Sequence, residues 1–333
     1  MAMKRFFFCI LGLVILSISA HGQQREVLDI DLSNYNYPYE VHLLALENQQ
    51  QSLQMAYMDV HPEQPNGETV MLFHGKNFNG AYWGTTIDAL TRAGYRVVVP
   101  DQIGFGKSTK PAHYQYSFQQ LAQNTMKLLE TLNISQVYLL GHSMGGMLAM
   151  RFTLMYPEVV KKLVLENPIG LEDWKLVAPY TAIDQLYQKE LNADFNSVKK
   201  YQLDNYYDGK WRPEYDEWVY LLTGWVDHPD YPLVAWNNAL TSDMIFTQPV
   251  YYEMEQLKAP TLLIIGTRDR TAIGKQQVSE TVRATMGLYQ HLGKAAQQRI
   301  TGSSLVELEN VGHMPHIEAF GRFIEPLLRF LKD

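Results

Sequence analysis

Val137-Tyr138-Leu139-Leu140-Gly141-His142-Ser143-Met144-Gly145-Gly146-Met147-Leu148-Ala149-Met150 is the stretch on which the fold turns. Residues 137–140 are a short apolar run, the pattern of a strand buried on both faces. From Met144 to Met155 apolar residues recur at helical spacing. The junction Gly141-His142-Ser143-Met144-Gly145 therefore joins a strand directly to a helix. A serine there must sit on a tight, strained turn, with its hydroxyl above the sheet edge. Glycines two before and two after keep side chains off neighbouring backbone. The helix opening at Met144 aims its first N–H groups at the same point. This is the context a nucleophile elbow requires. The bland alternative is a strand-to-helix turn with a capping serine.

The same alternation extends in both directions. Val70–Phe73, Arg96–Val99, Lys162–Leu165, Pro260–Ile265 and Leu305–Leu308 read as strands, and Ile87–Ala93, Phe118–Leu132 and Ala319–Leu331 as helices. Val41–Leu46 and Leu53–Val60 alternate enough to be an early strand pair. The pattern predicts an α/β fold, a mostly parallel twisted sheet with helices on both faces. It fails between residues 167 and 257, which hold five of the six Trp residues, many Tyr and little strand character. That stretch reads as a helical insertion on a core formed by residues 23–166 and 258–333. Its aromatics could build the insertion's own core, line a pocket beneath it, or both. Residues 23–39 are polar and expected to be a loosely ordered leader.

A serine hydroxyl needs a base to become a nucleophile. His313 lies in Val311-Gly312-His313-Met314-Pro315, after the last strand, on a loop at the same sheet edge as Ser143. His316 is the nearby competitor. His142 should point away from the site, and His74 should order its own loop. The base in turn needs an acid to hold its tautomer. Asp269 follows Leu262-Leu263-Ile264-Ile265-Gly266 at another strand end, with Glu166 and Asp173 as competing acids. Arg268 and Arg270 flank Asp269, so a purely structural salt bridge is its plainer reading. An oxyanion requires backbone donors. Met144 N–H is one, and Lys76 N–H, from His74-Gly75-Lys76-Asn77, is the first choice for the other, with Asn77 the alternative. The Lys76 side chain is expected to face solvent.

Composition narrows the partners. The chain has 333 residues, 46% of them hydrophobic, and a formal net charge of -7. No basic footprint for nucleic acid is visible. Lys4 and Arg5, an apolar run over 6–18 and small residues to Gly22 have the three parts of a secretory signal peptide. Residues 1–22 are therefore expected to be cleaved, with export to the periplasm or the medium and no permanent membrane anchor. The single cysteine, Cys9, falls in that segment. No helical H-E-x-x-H pairing occurs, so neither a metal nor a cofactor is called for.

From about Val41 to Leu331 the chain resembles the α/β-hydrolase superfamily, in the group that includes epoxide hydrolases, dehalogenases, carbon–carbon bond hydrolases and carboxylesterases. The matching residues are His74-Gly75, Pro100-Asp101-Gln102-Ile103-Gly104-Phe105-Gly106-Lys107-Ser108, Gly141–Gly146, Gly266 with Asp269, and Gly312-His313 with Glu318. The resemblance implies a cap domain at residues 167–257 and a Ser143–Asp269–His313 triad. Serine at position 143 disfavours the epoxide hydrolases and haloalkane dehalogenases, which use aspartate there. Acyl chemistry is left, with hydrolysis of a small, apolar carboxylic ester as the leading expectation. Carbon–carbon bond or small-peptide hydrolysis and a receptor-like binding role are the alternatives. Residues 101–108 are expected to be a structural loop near the pocket.

Overall fold

The computed structural model describes residues 26–333. The leader expected at residues 1–22, and Cys9 within it, lie outside the described residues. Eight strands form one sheet: β1 (Val41–Asn48), β2 (Gln51–Val60), β3 (Thr69–Phe73), β4 (Arg96–Pro100), β5 (Val137–His142), β6 (Val160–Glu166), β7 (Thr261–Gly266) and β8 (Ser304–Leu308). Their spatial order is β1-β2-β4-β3-β5-β6-β7-β8. β2 pairs antiparallel with both β1 and β4, and every other pairing is parallel. The strand ends that carry Ser143, Asp269 and His313 thus fall on one edge.

Alternate side chains of a strand point to opposite faces, and the apolar runs divide accordingly. Met71, Phe73, Leu139, Leu163, Leu263 and Ile265 pack on one face, against helices α2 (Phe118–Thr131) and α3 (Met144–Met155). Val70, Leu72, Leu140, Val164, Leu262 and Ile264 pack on the other, against α1 (Gly84–Arg92) and the C-terminal helix over Phe320–Lys332. Ser117 starts α2 by accepting the Gln120 N–H at 3.0 Å, the usual side-chain cap for a first-turn donor.

Between β6 and β7 the chain carries α4 (Ile183–Leu191), α5 (Phe195–Asn205), α6 (Asp216–Thr223) and α7 (Tyr231–Thr247), with short 3-10 turns and no strand. Its aromatics serve both expected purposes. Trp225 and Tyr231 are buried in a cluster with Leu28 and Leu32, while Tyr201, Tyr206 and Phe246 line a cavity.

One expectation needs correction, and two helices lie outside the pattern read from the sequence. Residues 26–39 are not loose. Leu28 N–H donates to Gly224 O at 2.8 Å, and Trp225 Nε1–H donates to Asp29 O at 2.7 Å. Leu28 and Leu32, i and i+4 in a polar stretch, are buried against the insertion. Their partner surface lies some 200 residues on in sequence, out of reach of local composition. Between β7 and β8 a short helix α8 (Glu280–Arg283) and a longer one, α9 (Tyr289–Arg299), also form. The buried face of α9 is only Tyr289, Gly293 and Ala296, a faint signal among Lys, Gln and Arg. The chain ends with α10 (Pro315–Glu318) and α11 (Phe320–Lys332).

Candidate active site

Ser143 has φ 56 and ψ -119, a conformation that favours glycine and strains a residue with a Cβ. The flanking glycines explain how the turn closes. A Cβ on Gly141 would lie 2.2 Å from Gly145 O, and one on Gly145 would lie 2.4 Å from Phe73 O. No side chain fits either position, because backbone occupies the space.

Three of the sequence-predicted residues meet. His313 Nε2 lies 3.0 Å from Ser143 Oγ, and His313 Nδ1 lies 2.6 Å from Asp269 Oδ2. A carboxylate only accepts, so Nδ1 carries the proton and Nε2 is left to accept from the serine hydroxyl. Asp269 is fully buried and satisfied on both oxygens. Its Oδ1 accepts the Thr271 N–H at 2.8 Å, and its Oδ2 also accepts from Asn167 Nδ2 at 2.8 Å. Asn167 Oδ1 in turn accepts the Gly266 N–H at 2.8 Å. Asn167 therefore ties the end of β6 to the end of β7 and holds the Asp269 carboxylate. The sequence gives no sign of this beyond an Asn after a strand. The flanking arginines do not pair with the Asp269 carboxylate. Arg268 pairs with Glu318, whose Oε2 accepts the Gly312 N–H at 2.7 Å, and Arg270 donates to Thr267 O at 3.1 Å.

The competing residues have other partners. Glu166 Oε1 accepts from both the backbone N–H and Nδ1 of His316, each at 2.8 Å, and both side chains are buried. Asp173 accepts the Lys175 N–H at 3.2 Å at the start of a 3-10 turn. His74 Nε2 accepts the Gln102 N–H at 3.0 Å, and its Nδ1–H donates to Gly75 O at 2.8 Å. It orders its own loop, and burial holds its pKa below the usual histidine range. Asp101 accepts the Gly80 N–H at 2.6 Å, the Tyr37 hydroxyl at 2.7 Å and the Lys107 N–H at 2.8 Å. Asp101 thus closes residues 101–108 through Lys107 and ties them to Gly80 and to the N-terminal segment at Tyr37.

His142 does point away from the serine, and it has a definite place. Tyr82 OH accepts the Gly75 N–H at 2.8 Å and lies 3.0 Å from His142 Nδ1. His142 Nε2 lies 2.8 Å from His313 O. A carbonyl only accepts, so Nε2 carries the proton and the Tyr82 hydroxyl donates to Nδ1. The imidazole is neutral. Burial pushes its pKa well below the usual range, and His313 and His316 push the same way. One buried chain, Gly75 to Tyr82 to His142 to His313, thereby joins the β3 loop to the His313 loop.

The β3 loop lies against the serine: a Cβ on Gly75 would come within 3.1 Å of Ser143 Cβ. Residues 75–78 close a turn in which Phe78 N–H donates to Gly75 O at 3.2 Å and Asn77 has φ 68. The Gly75 N–H goes to Tyr82, and the turn bond uses that of Phe78. Met144 is the first residue of α3, where backbone N–H groups lack intrahelical acceptors.

Ser143 opens into a cavity of about 550 Å³ between the sheet edge and the insertion. The Lys76 side chain lines it rather than facing solvent. Its ammonium donates to Asn77 Oδ1 at 2.7 Å and pairs with Glu190 Oε1 at 3.4 Å. The partner belongs to α4, so it could not be read from the Lys76 neighbourhood in sequence. Burial lowers the Lys76 pKa, partly offset by Glu190. The Tyr206 ring stacks on His313 with centroids 4.7 Å apart, so the insertion also covers this histidine.

A probable hydrolytic enzyme from Pseudomonas aeruginosa PAO1 has a solved structure 50% identical to this chain, with a TM-score of 0.91. The match covers 92% of this chain and 98% of that one. A family profile described as the alpha/beta hydrolase fold matches residues 68–203. The chain belongs to the α/β-hydrolase superfamily.

This α/β-hydrolase is also similar to curated relatives of diverse chemistry. A haloalkane dehalogenase of Mycolicibacterium paratuberculosis is 31% identical over 160 residues, 44% of this chain. The match spans only 52% of that enzyme's length. A 2-hydroxy-6-oxononadienedioate/2-hydroxy-6-oxononatrienedioate hydrolase of Comamonas testosteroni is 28% identical over 218 residues, 61% of this chain and 72% of that one. Among the described residues of this α/β-hydrolase, no group of three or more His, Cys, Asp or Glu side chains could hold a metal ion.

Proposed function

We propose that this hydrolase cleaves a carboxylic ester through an acyl-enzyme on Ser143. The observation that carries the reading is the unbroken chain from Ser143 Oγ through His313 to the buried Asp269 carboxylate, which also accepts from Asn167 and Thr271. His313 takes the hydroxyl proton as Oγ attacks the acyl carbon, and Asp269 stabilises the resulting imidazolium. The Met144 and Lys76 N–H groups hold the oxyanion. The Gly75 N–H is committed to Tyr82 and the Phe78 N–H to Gly75 O, which leaves Lys76 and, as the alternative, Asn77 as the donors of this turn. His313 then protonates the leaving alcohol and activates water to release the acid.

Ser143→Ala should lower hydrolysis of short p-nitrophenyl esters by about 10⁴-fold or more and abolish labelling by a fluorophosphonate. Unchanged turnover in that variant would sink the assignment. The similarity to the Comamonas enzyme named above keeps carbon–carbon bond hydrolysis as the second reading, since the same nucleophile and base would serve it. A dicarbonyl substrate panel run beside the esters separates the two. Residues 167–257 are read as the cap that decides the outcome.

A further inference from the structure

Helix α5 contains one fully buried side chain, and it is a glutamine. Gln202 is 1% exposed, and no other residue between Phe195 and Asn205 is buried. Among the described residues, neither Oε1 nor Nε2 of its amide has a hydrogen-bond partner. A buried polar group without partners destabilises a folded chain, and a similar apolar side chain would not. Gln202 nonetheless lines the same cavity as Ser143.

A second residue of the cavity lining repeats the pattern. Thr271, on the loop after β7, is 8% exposed and lines the cavity, and its hydroxyl also lacks a partner. Its backbone N–H is the donor to Asp269, which fixes the residue beside the catalytic chain. Two unpaired polar side chains, one from the core and one from the insertion, therefore border the space into which the serine hydroxyl opens. The Gln202 amide atoms are shielded in the free protein, so a side-chain rotation must present them. That rotation breaks no hydrogen bond of the amide.

Resting on the serine-hydrolase reading, we propose that Gln202 is a specificity-determining residue whose amide binds a neutral substrate group able both to donate and to accept, typically a hydroxyl. An amide engages such a group with its N–H and its carbonyl together, while an alkyl chain leaves both unpaired. The substrate class is then a hydroxylated ester, not the plain apolar ester that the aromatic content of the insertion suggests. Thr271 is the second polar contact on the same ligand.

Two matched pairs of probes test this: methyl butyrate against methyl 3-hydroxybutyrate, and propyl butyrate against glyceryl monobutyrate. The first pair places a hydroxyl on the acyl side, the second on the alcohol side. Affinities are measured by NMR titration on Ser143→Ala, which cannot turn them over, and on Ser143→Ala/Gln202→Met. In at least one pair the hydroxylated member should bind about tenfold tighter to Ser143→Ala. The preference should shrink to about twofold or less with Gln202→Met, while the thermal midpoint stays level or rises. Equal affinity within both pairs overturns the proposal, as does a preference that survives Gln202→Met. So does a midpoint several degrees lower, since that would make the amide part of the scaffold. Turnover of the same four esters by the unmodified enzyme tests the esterase reading separately, because binding to Ser143→Ala does not depend on it.

Discussion

At the scale of single residues, the site stores strain at one position and removes freedom around it. Ser143 holds φ 56 with a Cβ attached, a state that costs on the order of 1–3 kcal/mol. Glycine adopts it freely. Ser143→Gly should therefore abolish activity and raise the thermal midpoint by about 2–4 °C, measured by calorimetry. A lower midpoint would mean that the turn is not strained by its side chain. Tyr82 makes the opposite case. Its hydroxyl is the middle of the chain from Gly75 to His313, and Tyr82→Phe leaves the buried Gly75 N–H and His142 Nδ1 without this partner. The expected loss is about 1–3 kcal/mol of stability, with a fall in kcat at nearly constant KM, because the chain touches the proposed oxyanion loop and the proposed base, His313, and lies outside the cavity lining. Denaturant melts and steady-state kinetics check both parts. A KM effect alone would contradict the assignment.

Secondary-structure elements are held in register by short stretches whose importance local composition hides. The segment before β1 is the example. Leu28 is 1% exposed and packs against Trp225 and Val234 of the insertion. Truncating such a residue costs about 2–5 kcal/mol. Leu28→Ala should free this edge of the insertion, seen as faster amide exchange in α6 and α7 before exchange rises in β5. Uniform exchange across the chain would show that the segment couples to the whole domain instead. What was legible in the sequence follows the same division. Strands buried on both faces write themselves as continuous apolar runs, so β3 to β7 and the serine turn are readable, while the partly exposed edge strand β8 shows only through Leu305, Val306 and Leu308. Ser143, Asp269 and His313 are readable because each stands where such a run ends. The unread features depend on partners distant in sequence: Leu28 on Gly224, Lys76 on Glu190, Asn167 on Asp269, and His142 on Tyr82 and His313. α9 escapes for a simpler reason, since three buried small or aromatic residues in eleven make a weak period.

On the scale of the whole molecule, Lys110 marks where three regions of the chain converge. Its ammonium donates to Gly106 O in the Asp101–Ser108 loop and lies 5.6 Å from the centre of the Trp225 ring in the insertion. Asp31 of the N-terminal segment and Asp101 contribute to its field. Burial dominates, and it lowers the Lys110 pKa from 10.5 to about 7, with the two aspartates offsetting it only in part. In the unfolded chain the usual lysine value returns. Between pH 7 and 10.5 the unfolded chain then binds more protons at this position than the folded chain, so this group makes stability increase with pH across that window. Below pH 7 both states carry the proton, and the cost of burying the charge, on the order of a few kcal/mol, is borne in full. Lys110→Met keeps an unbranched side chain of similar reach beside Trp225 and removes the charge. It should raise the thermal midpoint most at pH 6–7, by less than the full burial cost because Gly106 O loses its donor. The gap to the unmodified protein should close as pH approaches 10, and it should reverse once the missing hydrogen bond outweighs the vanished charge. Thermal melts of both proteins at pH 6, 7, 8.5 and 10 measure the gap directly. A difference that does not change with pH would mean that Lys110 keeps its charge where the insertion, the loop and the N-terminal segment meet.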